Sequence, residues 1–151
     1  LQQGADEGVK PCGLAARDTL RLEMCYALYG NDITEANNPY QAGLGWVVKL
    51  KKEGFTGQDA LRKIKEAGPD RKLVPIRVTG RGIARPGYTV MANGEKVGEV
   101  TSGTKGPSVG EAIALAYVAT PHTKVGTELT VDIRGRAVEA VVSSRPFLKK
   151  D

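Results

Sequence analysis

The Gly68-Pro69 pair divides the chain into two stretches whose apolar residues recur with different periods. A period near 3.6 marks helices and a period of 2 marks half-buried strands, so one regular element type cannot serve both stretches. After the pair come short segments with strand character, separated by turn residues: Lys72–Thr79, Tyr88–Ala92, Lys96–Thr101, Ala112–Val118, Glu128–Arg134 and Ala137–Ser143. Val131 and Ile133, then Val138, Ala140 and Val142, alternate with polar residues as half-buried strands do. Asn93-Gly94 is a hairpin signal, because both residues tolerate positive φ. Gly135, between Arg134 and Arg136, marks a second tight reversal. Six short strands without an intervening helix predict a small antiparallel barrel or sandwich.

Before the pair the pattern is helical. Leu1–Gly13 is polar and Gly-rich and reads as a loop. Leu14–Leu28 reads as a helix with an apolar stripe of Leu20, Met24 and Leu28, joined by Cys25. Arg17 and Arg21 lie one turn apart on another face, flanked by Asp18 and Glu23. Gly30 and Asn31 supply its stop. Asn37-Asn38-Pro39 marks a turn. Leu44–Leu50, with the single Trp, suits a buried strand. Gln58–Ala67 reads as a second helix, capped by Thr56, apolar along Ala60, Leu61 and Ile64, and ended by Gly68-Pro69. The pattern alone gives an α+β class: two helices in residues 1–68, then six short strands that form a small antiparallel barrel or sandwich in residues 69–151.

Length and composition narrow the function. The 151 residues suit one domain, or one domain and a piece of another. Leu1 in place of Met suggests a chain cut from a longer protein. No apolar run approaches the roughly 20 residues that cross a bilayer, so no membrane association is expected. Cys12 and Cys25 are too few for a disulfide framework. With His122 as the sole histidine they do not make a zinc site. Cys25 reads as a buried structural thiol. His122 follows Pro121 in a turn and reads as a solvated loop residue.

No Ser-His-Asp set or carboxylate pair stands out. Gly80-Arg81-Gly82 lacks the Lys-Ser/Thr and the helix of a phosphate loop. Thr101-Ser102-Gly103-Thr104 reads as a strand-to-loop junction. Residues 1–67 hold nine Lys/Arg and nine Asp/Glu, so residues 68–151 carry the whole net charge of +5. That excess is scattered singly among acids. Arg17 asks for the most explanation. A cation in the first turn of a helix is mildly disfavoured by the dipole. Such an Arg is either held in an ion pair or directed at an anionic ligand, since guanidinium pairs with carboxylate in a bidentate way.

Six ordered blocks resemble one family. Gly13–Glu23 (GLAARDTLRLE) resembles the "GLGARDxLRLE" segment of the glycine cleavage T-protein (aminomethyltransferase) family, and Leu28–Ile33 resembles its "LYGNDI". Ala42–Trp46 looks like its "AGLGW". Arg81-Gly82-Ile83 with Gly87-Tyr88, then Gly98–Thr104, then Ile113–Val118 are similar to its C-terminal domain. Gly135 and Arg145-Pro146-Phe147 match its closing segment. The resemblance covers nearly the whole chain from Gly13.

The resemblance implies a reaction in which a one-carbon unit passes from the aminomethyl-lipoyl arm of H-protein to tetrahydrofolate, with release of ammonia. It implies that Arg17 faces the folate, that residues 1–68 are the remnant of the folate-binding α+β region, and that residues 69–151 are a small antiparallel six-stranded β-barrel. The partners implied are lipoylated H-protein and the N-terminal half of the same protein, with no nucleic acid. The expected compartment is the cytoplasm for a bacterial source and the mitochondrial matrix for a eukaryotic one.

The departures bear on activity. The family's catalytic aspartate and its "GYTGE" segment have no counterpart here, so no catalytic residue is assigned and the chain alone is expected to be inactive. Met24-Cys25 stands where the family usually has Ala-Gly, and Arg85-Pro86-Gly87 replaces a frequent Arg-His-Gly. Two other readings share the sequence: a T-protein-like folate-dependent demethylase, and a non-enzymatic basic β-barrel that binds RNA or protein. The barrel half offers only Tyr88, Tyr117 and Phe147 as stacking residues, which weakens the RNA reading.

Overall fold

The computed structural model describes residues 2–52 and 54–148. Its strands are β1 (Arg71–Val78), β2 (Thr89–Ala92), β3 (Glu95–Lys105), β4 (Ala112–Ala119), β5 (Glu128–Asp132) and β6 (Ala137–Val142). All neighbours pair antiparallel, and the order β1-β4-β3-β2-β5-β6 closes on itself as a barrel. The expected six-stranded barrel is therefore the observed one. Asn93 (φ 51°) and Gly94 (φ 84°) turn β2 into β3. Arg134 (φ 56°) and Gly135 (φ 79°) turn β5 into β6, steadied by a 2.7 Å bond from the Gly135 amide to Asp132 Oδ1. Such turns match the twist of paired strands.

Alternation fills the barrel. Val74, Ile76, Val90, Val100, Ala114, Ala116, Val118, Leu129, Val131 and Val142 belong to one buried cluster inside it. The opposite face of β4 is also buried: Ile113, Leu115 and Tyr117 join Leu73, Leu22, Cys25 and Phe147 in a second cluster. That is why Ile113–Val118 is apolar at successive positions, since a strand covered on both faces has no polar side. The cover is helix α1 (Leu14–Glu23).

Helix α1 departs from expectation at its end and in its buried face. It stops at Glu23, five residues before the predicted Leu28, and Gly30-Asn31 plays no part in stopping it. Cys25 takes a left-handed conformation (φ 56°), the Tyr26 amide donates to Arg21 O at 2.8 Å, and the Cys25 amide donates to Leu22 O at 2.9 Å. This is a Schellman ending, in which the left-handed position is usually Gly. Leu22 and Glu23 are buried, whereas Leu20, one of the predicted stripe, is 61% exposed.

Leu44–Leu50 forms no strand. Gly45–Val47 makes one 3-10 turn, and Trp46 is 73% exposed. The barrel closes with its own six strands and leaves no edge for a seventh, so local bonds such as Val47 N–H to Leu44 O serve this backbone instead. Helix α2 (Gln58–Ala67) has the predicted bounds, but Gly57 (φ 84°) precedes it and no side chain caps it, Thr56 included. Its far end is Gly68 (φ 75°). The Asn37-Asn38-Pro39 turn forms as expected: Asn38 Oδ1 accepts from the Tyr40 and Gln41 amides at 3.0 Å each. Gln41 O in turn accepts from the Leu73 amide at 2.8 Å, which fastens this turn to β1. Among the described residues no helix is long and apolar enough to cross a membrane.

Candidate functional site

The polar chemistry of the molecule gathers where α1 lies on β3 and β4. Arg17 sits in the first turn of α1, exposed to solvent. No ion pair among the described residues includes it. The structural ion pair open to either arginine is made by Arg21, one turn later. Arg21 bonds Asp18 Oδ1 through Nε (2.9 Å) and Nη2 (2.5 Å), and pairs with Asp32 through Nη1. Nη2 also donates to Ser102 Oγ at 2.9 Å.

Asp32 is fully buried. Besides Arg21 it accepts from the Leu28 amide at 2.9 Å and from the Thr101 hydroxyl at 2.5 Å, while its backbone carbonyl accepts from the Tyr117 hydroxyl at 2.9 Å. A charge pair removed from water this far is tolerable only when its hydrogen bonds are complete. Burial pushes the Tyr117 phenol above its ordinary range, against the pull of Arg71, whose guanidinium stacks on the ring at 5.0 Å.

Glu23, the last residue of α1, is also buried. Its Oε1 accepts from the Ser108 and Val109 amides at 2.7 and 3.2 Å, and its backbone carbonyl accepts from Phe147 and Leu148. Arg77 holds the same closing segment from β1, pairing with Glu111 and donating to Phe147 O at 3.2 Å.

The remaining sequence features resolve as structure. Cys25 is buried, and burial raises its thiol. Cys12 is exposed. His122 ends the 3-10 turn Thr120–His122. The described residues contain no group of three His, Cys, Asp or Glu fit for a metal. Gly80 and Gly82 are close-packing glycines: a Cβ on either would stand 2.8 Å from Val138 Cγ1 or Ile133 Cδ1 respectively. Thr101–Thr104 is no strand-to-loop junction, because β3 runs on to Lys105. Asp32, Thr101, Ser102 and Glu23 were not singled out as site residues from sequence. The consecutive hydroxyls of Thr101-Ser102, which break strand alternation, were the available signal for two of them.

Comparison with known proteins gives this site its context. The family model described as glycine cleavage T-protein C-terminal barrel domain matches residues 71–149, and that described as GCVT N-terminal domain matches residues 1–52. An aminomethyltransferase of Symbiobacterium thermophilum is 53% identical over 99% of this chain and 40% of its own length. One of Parasynechococcus marenigrum is 52% identical over 96% of this chain and 40% of its length. The crystal structure of the glycine cleavage system aminomethyltransferase T of Bartonella henselae superposes with a TM-score of 0.91 at 38% identity, over 96% of this chain and 41% of that one. The chain thus spans about 40% of the length of the curated relatives it matches. Two matched domain models in order, relatives about half identical along the whole chain and a shared fold together place it in the glycine cleavage T-protein family, matching the C-terminal part of its members.

Proposed function

We propose that these residues form the folate-facing C-terminal part of an enzyme that moves a one-carbon unit from the aminomethyl-lipoyl arm of H-protein to tetrahydrofolate and releases ammonia. Residues 1–68 end the folate-binding region and residues 69–151 are the barrel that closes over it. One observation carries the reading. Arg17 stands exposed and, among the described residues, outside every ion pair, on a helix whose other arginine is fully engaged. A free guanidinium suits the carboxylates of a folate, which it can bind through two parallel hydrogen bonds.

The apolar surface supports the incompleteness of this piece. Of the six large apolar residues more than 60% exposed among the described residues, five (Leu14, Leu20, Tyr26, Tyr29 and Trp46) lie in the stretch matched by the N-terminal domain model, and only Val125 lies in the barrel half. Isolated exposed apolar residues are ordinary, but a concentration in one segment marks a surface made for contact. The rest of the N-terminal domain would cover it and would supply the catalytic aspartate.

The alternative of a basic barrel that binds RNA has no exposed aromatic among the described residues of the barrel half. Tyr117 and Phe147 are buried, and Tyr88 is half-buried against the barrel core. The test is an assay of tetrahydrofolate-dependent ammonia release from aminomethylated H-protein. The 151-residue chain alone is expected to be inactive, and activity is expected when it is co-expressed with the N-terminal part of a close relative. Activity of the chain alone, or none in the pair despite a stable complex, contradicts the reading.

A further inference from the structure

Thr101 and Ser102 are neighbours in β3, and in a regular strand their side chains would leave by opposite faces. The ladder with β4 slips between Val100 and Ser102: Val100 faces Ala116 and Ser102 faces Leu115, so Thr101 is the extra residue of a β-bulge. Bulges re-aim side chains. Here the bulge brings both hydroxyls to α1 and the Asp32 turn. Thr101 Oγ1 donates to Asp32 Oδ1, and Ser102 Oγ accepts from Arg21 Nη2. Val100, before the bulge, still points into the barrel core.

We propose that Arg21, Asp32, Thr101 and Ser102 are positioning residues for the one-carbon transfer, setting the rotation and height of α1 on the barrel and thereby the place of the Arg17 guanidinium. This rests on the folate role of Arg17 proposed above. Arg17 and Arg21 are four residues apart, one above the other on a single helix face. Apart from the network and the bonds of Glu23, α1 is held by Leu22 and the neighbouring Cys25 against Leu73, Ile113, Leu115 and Tyr117. Apolar burial is non-directional and leaves a helix free to slide or roll by small amounts. Hydrogen bonds between buried groups fix those degrees of freedom. Arg21 and Asp32 have side chains 10% and 0% exposed, and Ser102 is 2% exposed. Arg21 is bound from α1 itself, from the Asp32 turn and from β3, so it defines one orientation of the helix. Ground-state binding of a carboxylate by Arg17 depends on that orientation.

The test uses a full-length aminomethyltransferase that contains these residues, assayed with tetrahydrofolate as the varied substrate and accompanied by thermal melts. Thr101→Val removes the hydroxyl while keeping the shape. It is expected to raise KM for tetrahydrofolate about tenfold with kcat within about twofold, the pattern of lost ground-state binding. Thr101→Ser is expected to restore the original KM. Ser102→Ala should raise the same KM about threefold, and KM for H-protein should stay constant in all three.

An unchanged folate KM in folded Thr101→Val overturns the proposal. So does a uniform change in kcat and both KM values, which a general loosening of the fold would give. If Thr101→Val does not fold, Ser102→Ala decides by the same criteria. Arg17→Ala separates the two layers. If it leaves the folate KM unchanged, the reading of the site falls and positioning falls with it. If it raises KM while Thr101→Val and Ser102→Ala do not, positioning alone falls.

Discussion

The Oε1 atom of Glu23 accepts a hydrogen bond from the Ser108 amide at 2.7 Å, so the last residue of α1 holds a turn 85 residues further along the chain. The side chain is buried, and its Oε2 has no hydrogen-bond partner among the described residues. Glu23→Ala removes the acceptor of the Ser108 and Val109 amides and opens a cavity where the buried side chain was. It is expected to cost about 3 kcal/mol of unfolding free energy. Glu23→Gln keeps one carbonyl oxygen for those amides and nearly the same volume, for a cost of about 1 kcal/mol. Urea denaturation measures both. Equal losses would mean that the acceptor atom is not what Glu23 supplies.

Cys25 combines left-handed strain with apolar burial. Cys25→Ala retains the strain and loses the sulfur packing, so a loss of about 1 kcal/mol is expected. Cys25→Gly loses the same packing but relieves a strain of about 1 kcal/mol, so it should lie within about 0.5 kcal/mol of the original protein. A thiol reagent at pH 8 should label Cys12 quickly and Cys25 only on unfolding, because burial both hides the Cys25 thiol and raises its pKa. Rapid labelling of both in the native chain would refute this.

Alkaline pH should weaken the fold through Tyr117. Its phenol is raised first by burial and further by Asp32, with Arg71 and Arg145 pulling the other way. A raised pKa means that the folded state keeps its proton where the unfolded chain, near pH 10, has lost it. The resulting stability is whole below about pH 10 and is lost as pH rises through the folded value. The Cys25 thiol, raised from 9.0, adds a loss that begins about one pH unit lower. Tyr117→Phe should lower stability by about 1 kcal/mol at neutral pH, through the bond to Asp32 O, and flatten the decline above pH 10. Melting curves from pH 7 to 11 read both effects, and an unchanged alkaline slope would contradict the assignment.

Gly98 sets the β3–β4 contact. A Cβ there would lie 2.1 Å from Tyr117 O, a backbone atom within a ladder that cannot yield. Gly98→Ala should cost about 3 kcal/mol or more. Gly110→Ala, at φ 73° with nothing within 4 Å, should cost about 1 kcal/mol. Comparable denaturation midpoints for the two variants would sink this distinction between crowding and backbone conformation.

Local rules reach the barrel because its strands and turns are local: alternation marks β5 and β6, Gly135 marks the reversal between them, and Asn93-Gly94 marks the reversal from β2 to β3. They fail where another segment decides. Helix α1 gave no glycine stop signal because Cys25 occupies the left-handed position, so the apolar pattern ran on to Leu28. Leu44–Leu50 has strand composition, but a closed barrel offers it no edge. The pairs Thr101–Asp32, Ser102–Arg21 and Ser108–Glu23 join residues 69 to 85 positions apart, and a bulge that shifts alternation by one residue placed the first two. Arg17 stands out because it is odd by itself, a cation at the start of a helix, and the family resemblance implies the folate as the ligand it would face.

The central claim is that Arg17 binds a carboxylate of tetrahydrofolate. Titration calorimetry of tetrahydrofolate into full-length aminomethyltransferase with and without Arg17→Ala tests it most directly. Loss of a charge-assisted bidentate contact of about 1.5–3 kcal/mol predicts a Kd weakened by about 10- to 150-fold, with the melting temperature of the unliganded protein unchanged. An unaltered Kd in a folded variant would contradict the account.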